Sequence, residues 1–471
     1  MRHATCCLAI MSEIPDKGWL ERLLSPIVDL RRGEATSALL MSFTMFLVLT
    51  GYYLLKTARE IFILSEGGAE VKSYSSAGQA LLLLLIVPAY SAFASRVNRT
   101  QLVQWVTLFF AGNLVLFLFA LSAGLRIGIV YFLWLGIFNV VVIAQLWSFA
   151  ADLFTEEQGK RVFPLIGVGS SLGAWAGSIR AGQLVERFGA PRLLIGGAVS
   201  LVGCVVLVRL LDRLYRRNAT ATDSKRADAK LAAGPSGFKM IFADRYLLLI
   251  GAFVLLLNVV NTSGEYLFGR YVINAAETLY GSGTEGAAAR QQFIGESYSS
   301  YFSYISLIGF LLQLFVVSRV FKWLGVGKSL LIHPIVALVS YVMMLRAPSF
   351  EAIRVLKITD NAIAYSLGNT TTQALWLPTS RETKFKAKQA IDSFFVRTGD
   401  LLQAAVVYSG ELTALPVSGF AAVTVVFACG WLASAVGLKR MLNAPASRTG
   451  NAEPYTTSVG LAGTKTIQHR R

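Results

Sequence analysis

Apolar stretches of about 20 residues recur along this chain, and each is long enough to cross a bilayer. They lie near 36–58, 76–95, 102–123, 127–150, 162–184 and 191–211, then near 246–267, 297–320, 327–346, 351–377, 388–411 and 416–438. Lipid offers the backbone no hydrogen-bond partners, so each stretch must satisfy its own amides and carbonyls. That constraint predicts an all-α polytopic membrane protein of twelve transmembrane helices. Composition agrees: 54% of the 471 residues are hydrophobic and 15% are charged, where a soluble domain has about 25% charged.

The polar segments divide the spans into two sets of six. Residues 1–34 form an N-terminal cytoplasmic segment and 35–211 the first six-helix half. Residues 212–243 are a basic linker with Ala, Gly and Ser, which reads as a cytoplasmic connection. The second half covers 244–440, and 441–471 is a polar tail expected to be disordered. A formal charge of +17 could suggest nucleic acid. The cations sit instead in alternate short connections, all on one side: Arg31 and Arg32, Arg96 and Arg99, Lys160 and Arg161, Arg319 to Lys328, the run at 381–388, and Lys439 with Arg440. This is the pattern of cytoplasmic loops with both termini inside, facing anionic lipid, and no nucleic-acid partner is expected. On the other side, the connections carry little beyond residues such as Lys72, Arg187 and Arg270. No signal peptide is recognisable at the N-terminus, and Met11 is as good a start as Met1.

The two halves echo each other. Gln145-Leu146-Trp147 precedes a basic loop in the first, and Ala374-Leu375-Trp376 precedes another in the second, with Lys160 and Lys388 at matching places about 228 residues apart. Two related six-span halves are a common transporter build, with the substrate near the midplane between them.

Charges at bilayer depth are expensive and mark pathways. Tyr52, Lys56 and Arg59 share one helical face; they are either snorkelling cations or a cationic patch for an anion. Asn258, Asn261 and Glu265 share another face. In the tenth span Arg354, Lys357 and Asn361 line a face, and Lys357 and Asp360 are spaced to pair at i, i+3. Further along, Arg397 and Asp400 have the same spacing, with Asp392 before them. Either this is a structural ion pair, or Arg397 offers its planar fork to a phosphate or carboxylate. Gly169, Gly173 and Gly177 recur every fourth residue, which reads as a close helix contact; GVGSSLG lacks the dinucleotide-binding spacing. Four cysteines and three histidines show no metal spacing, and there is no phosphate-binding loop of an ATPase. No metal, cofactor or enzymatic activity is expected.

Three segments resemble the ATP:ADP antiporter family of nucleotide transporters. Pro378, Glu382, Lys384, Lys386, Lys388, Ile391, Asp392, Arg397 and Gly399 match that family's basic run and the Arg-x-Gly after it. Lys160-Arg161, Leu165 and Gly167-Val168-Gly169 are similar to its first-half loop. Tyr52, Leu55, Lys56, Arg59 and Glu60 resemble its first span, with the charges kept in type. The departures are Thr379-Ser380, Ala387 and above all Asp400, where members carry lysine. The resemblance implies a fold like that of the major facilitator superfamily and nucleotide exchange, with Lys56 and Arg59 touching substrate.

These readings combine into a secondary transporter of an anionic metabolite, with ATP and ADP as first candidates. It is expected to be a monomer in a bacterial inner membrane. Tyr52, Lys56, Arg59, Lys357, Asn361 and Arg397 are the expected substrate contacts. Glu265, Asp360, Asp392 and Asp400 would couple or pair charge, and Lys160, Arg161, Glu382, Lys384 and Lys388 would form a cytoplasmic gate. The alternatives are a proton-coupled carrier of another solute and a membrane scaffold whose polar faces only lock helices together.

Overall fold

The structure is a computed structural model that describes residues 34–94, 97, 99–154, 156–218, 237–346 and 349–443. Helix is the only regular structure among them. The first half comprises α1 (Glu34–Ala94), α2 (Arg99–Ser122), α3 (Gly128–Phe138), α4 (Ala144–Leu153), α5 (Glu156–Phe188) and α6 (Pro191–Asn218). A short α7 (Gly237–Ala243) leads into the second half: α8 (Arg245–Tyr280), α9 (Ala287–Phe315), α10 (Val317–Ser329) and α11 (Ile332–Met344). Then follow α12 (Phe350–Ile363), α13 (Asn369–Ala374), α14 (Arg381–Ala390), α15 (Val396–Leu412) and α16 (Val417–Leu442). Most of the proposed linker, the N-terminal segment and the tail lie outside the described residues.

Eight of these helices are long and apolar enough to cross a membrane, or nine if the bent pair Val317–Ser329 and Ile332–Met344 is one span. That is fewer than the twelve predicted, for two physical reasons. The first two predicted spans are parts of the single element α1, which is broken at Gly68 (φ 77°, ψ −175°), a left-handed conformation that glycine alone adopts without strain. The segments around 350–377 and 388–411 are helical, but their internal charges keep them below the hydropathy a membrane span normally shows. The protein is an integral membrane protein, and large apolar side chains such as Leu85, Phe109, Phe119, Val199 and Val426 are exposed on its surface.

Three π-helical turns interrupt the helices, at Asn139–Ile143, Ala364–Gly368 and Ile391–Phe395. The first two begin 225 residues apart, close to the offset of the sequence echo. Pro164 sits within α5 near the place that corresponds to the third. Such turns re-aim the side chains that follow and concentrate at functional sites.

The glycine repeat of α5 lies against α1. A Cβ on Gly169, Gly173 or Gly177 would collide with the backbone of Ser42, Phe46 or Thr50, one α1 turn apart from each other. The close approach lets Ser42 Oγ donate to the Leu165 carbonyl at 2.9 Å and Thr50 Oγ1 to the Gly173 carbonyl at 3.2 Å. The halves meet where α5 packs on α9 and where α15 packs on α1. There, Ser299 Oγ donates to the Ser178 carbonyl at 2.6 Å and Gln403 Nε2 to Ser73 Oγ at 3.2 Å.

The glycine contact makes a testable case. Gly173→Ala is expected to cost ~1–3 kcal/mol by overpacking, seen as earlier thermal unfolding in detergent. Gly167→Ala, whose new Cβ meets nothing within 4 Å, should unfold with the wild type. Equal unfolding of all three proteins would refute the packing role.

Candidate functional site

A cavity opens between the halves. Its walls are Tyr52, Lys56, Arg59, Lys72, Ser73, Ser76 and Gln79 of α1, Phe132 of α3, Asn261, Thr262, Glu265 and Tyr266 of α8, Tyr365 of the second π turn, and Arg397, Asp400 and Gln403 of α15. Its volume is about 230 Å³, and it is open to solvent. The one-face spacing of Tyr52, Lys56 and Arg59 delivers all three to it.

Behind the surface lies a chain of paired charges. Glu60 is fully buried, ion-paired to the neighbouring Arg59 and 2.7 Å from Lys72 Nζ. Lys72 also stands 3.6 Å from Glu265 and donates to the Tyr298 hydroxyl at 3.5 Å. Glu265 Oε1 accepts from the Tyr301 hydroxyl at 3.0 Å and from Asn361 Nδ2 at 3.1 Å. Asn361 Oδ1 in turn accepts from Lys357 Nζ at 3.1 Å, and Lys357 pairs with Asp360 at 3.1 Å. His333 Nε2 approaches the other Asp360 oxygen at 3.4 Å. The chain runs from α1 across the interface into α8 and α12, so charge on one half is neutralised by the other.

Lys56 differs from its neighbours. It makes no ion pair with any described carboxylate; its ammonium lies 4.1 Å from the centre of the Phe302 ring and 5.2 Å from that of Tyr53. Cation–π contacts of this kind steady a lysine without neutralising it. Arg59 stacks on Phe132 at 4.7 Å while staying bound to Glu60.

The other expected residues fall in different places. Arg397 and Asp400 both line the cavity, paired at 3.2 Å. Lys357, Asn361 and Asp360 are buried behind Glu265 and do not line it. Their spacing predicted the pair, but the α12 face carrying them turns into the protein against Tyr341 and His333. Asp392 is half-exposed and paired with Lys388 one turn earlier on the same element, away from the cavity. Arg161 binds Glu34 at 2.6 Å, and both belong to the first half. The side chains of Lys160, Glu382 and Lys384 lie outside the described residues.

Lys72, Gln403 and Tyr365 were missed. The sequence reading put Lys72 in an outer connection, because the apolar window ended near residue 58. The structure corrects this: α1 continues through Glu60 and Ser65 before breaking at Gly68, and Lys72 returns buried against Glu60. A carboxylate and a lysine 12 residues apart, flanking a Gly-Gly pair, were the available signal. Beyond them, Arg270 of α8 is ion-paired to Glu70 of α1 and lies 3.3 Å from Glu411 of α15, whose carboxylate also accepts from the Tyr266 hydroxyl at 2.8 Å. This cluster ties the halves together at one end of the cavity. Among the described residues no group of acidic, histidine or cysteine side chains is placed to hold a metal ion.

A buried charge that loses its partner is strongly destabilising, typically ~3–5 kcal/mol. Glu60→Gln is therefore expected to lower the unfolding temperature in detergent sharply. Adding Lys72→Met, which removes the stranded ammonium, should recover a measurable part of the loss. A double variant no better than the sum of the single losses would show that the two residues are not coupled.

The relatives found by comparison are carriers. No family model matches the chain. It is 24% identical over 305 residues to ADP,ATP carrier protein 4 of Rickettsia felis, a match covering 55% of this chain and 56% of that one. The chain thus spans little more than half the length of that relative. It is 21% identical over 498 aligned positions to ADP,ATP carrier protein 5 of Rickettsia bellii, covering 88% of this chain and 94% of the relative. Among solved structures, a nucleoside transporter aligns with a TM-score of 0.60 and 14% identity, over 87% of this chain and 100% of the other. At that identity the likeness speaks for the fold, which is of the major facilitator type. In sequence, the chain is similar at low identity to ADP,ATP carriers, over most of its length in the second of these matches.

Proposed function

We propose that this protein is a secondary transporter that moves an anionic metabolite across the membrane, with nucleotides the first class to test. The observation that carries the reading is Lys56: a cation with no carboxylate partner among the described residues, held on aromatic rings at the wall of an open cleft built by both halves. An anion entering the cleft supplies the missing charge. The names of the relatives, ADP,ATP carriers, support the same class of cargo. A scaffold would instead pair every interior charge around a closed centre, and Lys56 speaks against it. No bound cofactor or catalysis is part of the proposal.

In this reading Tyr52, Lys56, Arg59 and Arg397 contact the cargo. Glu265 and Asp400 hold the neighbouring cations in place, and the buried Lys357, Asp360 and Asn361 support Glu265 from behind. The two halves rock about the cavity. With the termini in the cytoplasm of a bacterial cell, the connection at Gly68 faces outward. The Glu70–Arg270–Glu411 cluster then seals the outer end and leaves the cavity open inward. Opening outward requires that cluster to separate, and Arg161, Lys160, Glu382, Lys384 and Lys388 are the candidates for closing the inner end.

The test is uptake of labelled AMP, ADP or ATP into liposomes carrying the purified protein and preloaded with unlabelled nucleotide. Wild type is expected to exchange at least one of them. Lys56→Ala is expected to cut that exchange about tenfold or more, the loss of a charge-assisted contact. Exchange that is unaffected by Lys56→Ala, or no anion movement in wild type, would refute the reading.

A further inference from the structure

Four cations line the cavity, Lys56, Arg59, Lys72 and Arg397, with two carboxylates among them, Glu265 and Asp400. Three of the cations are already committed. Arg59 is held by Glu60, Lys72 lies between Glu60 at 2.7 Å and Glu265 at 3.6 Å, and Arg397 is 3.2 Å from Asp400. Only Lys56 has no described carboxylate against it. Asp400 is not free to swing aside when cargo arrives. Its Oδ1 accepts from Asn258 Nδ2 at 2.7 Å, and the same amide donates to the Val396 carbonyl at 2.8 Å, which fixes its orientation.

Building on the transporter reading, we propose that this charge balance limits the charge of the cargo. The cavity takes anions with one or two negative charges, the class of a nucleoside monophosphate, and disfavours di- and triphosphates. Asp400 is the residue that imposes the limit. A terminal phosphate carries about −1.5 to −2 at neutral pH, which Lys56 and a partly released Arg397 can balance. Each further phosphoryl group adds negative charge that must leave water with no uncommitted cation to meet it. It also brings that charge toward the anchored Asp400 carboxylate, and like-charge repulsion is strong in a partly desolvated cleft. Neutral nucleosides fail for the opposite reason: they leave Lys56 unsatisfied.

The experiment compares labelled AMP, ADP, ATP and adenosine at equal concentration in liposomes containing the full chain. Wild type is expected to take up AMP at least about tenfold faster than ATP, and faster than adenosine. Asp400→Asn should narrow the AMP-to-ATP ratio by about tenfold, one charge's worth of discrimination. Asp400→Glu, which keeps the charge, should preserve the wild-type order even where it slows transport, so a folding defect in one variant does not decide the matter. Wild type that carries ATP or ADP as fast as AMP overturns this inference and leaves the transporter reading standing. So does an AMP-to-ATP ratio that Asp400→Asn leaves unchanged while AMP uptake persists. Wild type that moves no nucleotide overturns both.

Discussion

Everything in this molecule is arranged around one expensive act, the burial of the Glu60 carboxylate. An isolated ion in a medium that excludes water is unstable by many kcal/mol, so it persists only with partners close by. Arg59 is supplied by the next residue in the chain and Lys72 by a return of the backbone after Gly68. The return is possible because glycine tolerates φ 77° where the helix breaks. Lys72 then needs more negative charge than Glu60 alone provides, and Glu265 supplies it from the other half. Through Lys72 the buried acid of the first helix is linked to a carboxylate of the second half.

The same compensation gives the interface its character. The halves are joined by paired charges and polar contacts along with apolar packing, from Gln403 and Ser73 to Arg270, Glu70 and Glu411. Such contacts exchange partners more readily than an interlocked apolar core, which deforms only by repacking. Within the first half the backbones approach closely, as in the glycine seam between α5 and α1. The cavity sits in that polar seam.

Much of this was legible in the residue order. Helical spacing put Tyr52, Lys56 and Arg59 on one face, paired Lys357 with Asp360 and Arg397 with Asp400, and identified the Gly169–Gly173–Gly177 stripe as a contact surface, all of which the fold displays. These are relations within a single helix, and a helix has one geometry whatever surrounds it. The reading failed at Lys72, because a hydropathy window sees apolar length and not the return of a chain through a glycine break. It also expected Lys357 at the cavity wall, where the structure buries it behind Glu265, since spacing tells which residues share a face but not what that face meets.

The residue order by itself determined that the chain is helical and lies in a membrane, and which charges stand together along each helix, because lipid permits no other way to satisfy a lone backbone segment. Only the tertiary structure decided which of those charges neutralise one another. Pairing across helices depends on distances of a few ångströms between segments far apart in the chain, as between Lys72 and Glu265. It was that assembly, and no local pattern, that left Lys56 at the cavity wall unpaired with any described carboxylate.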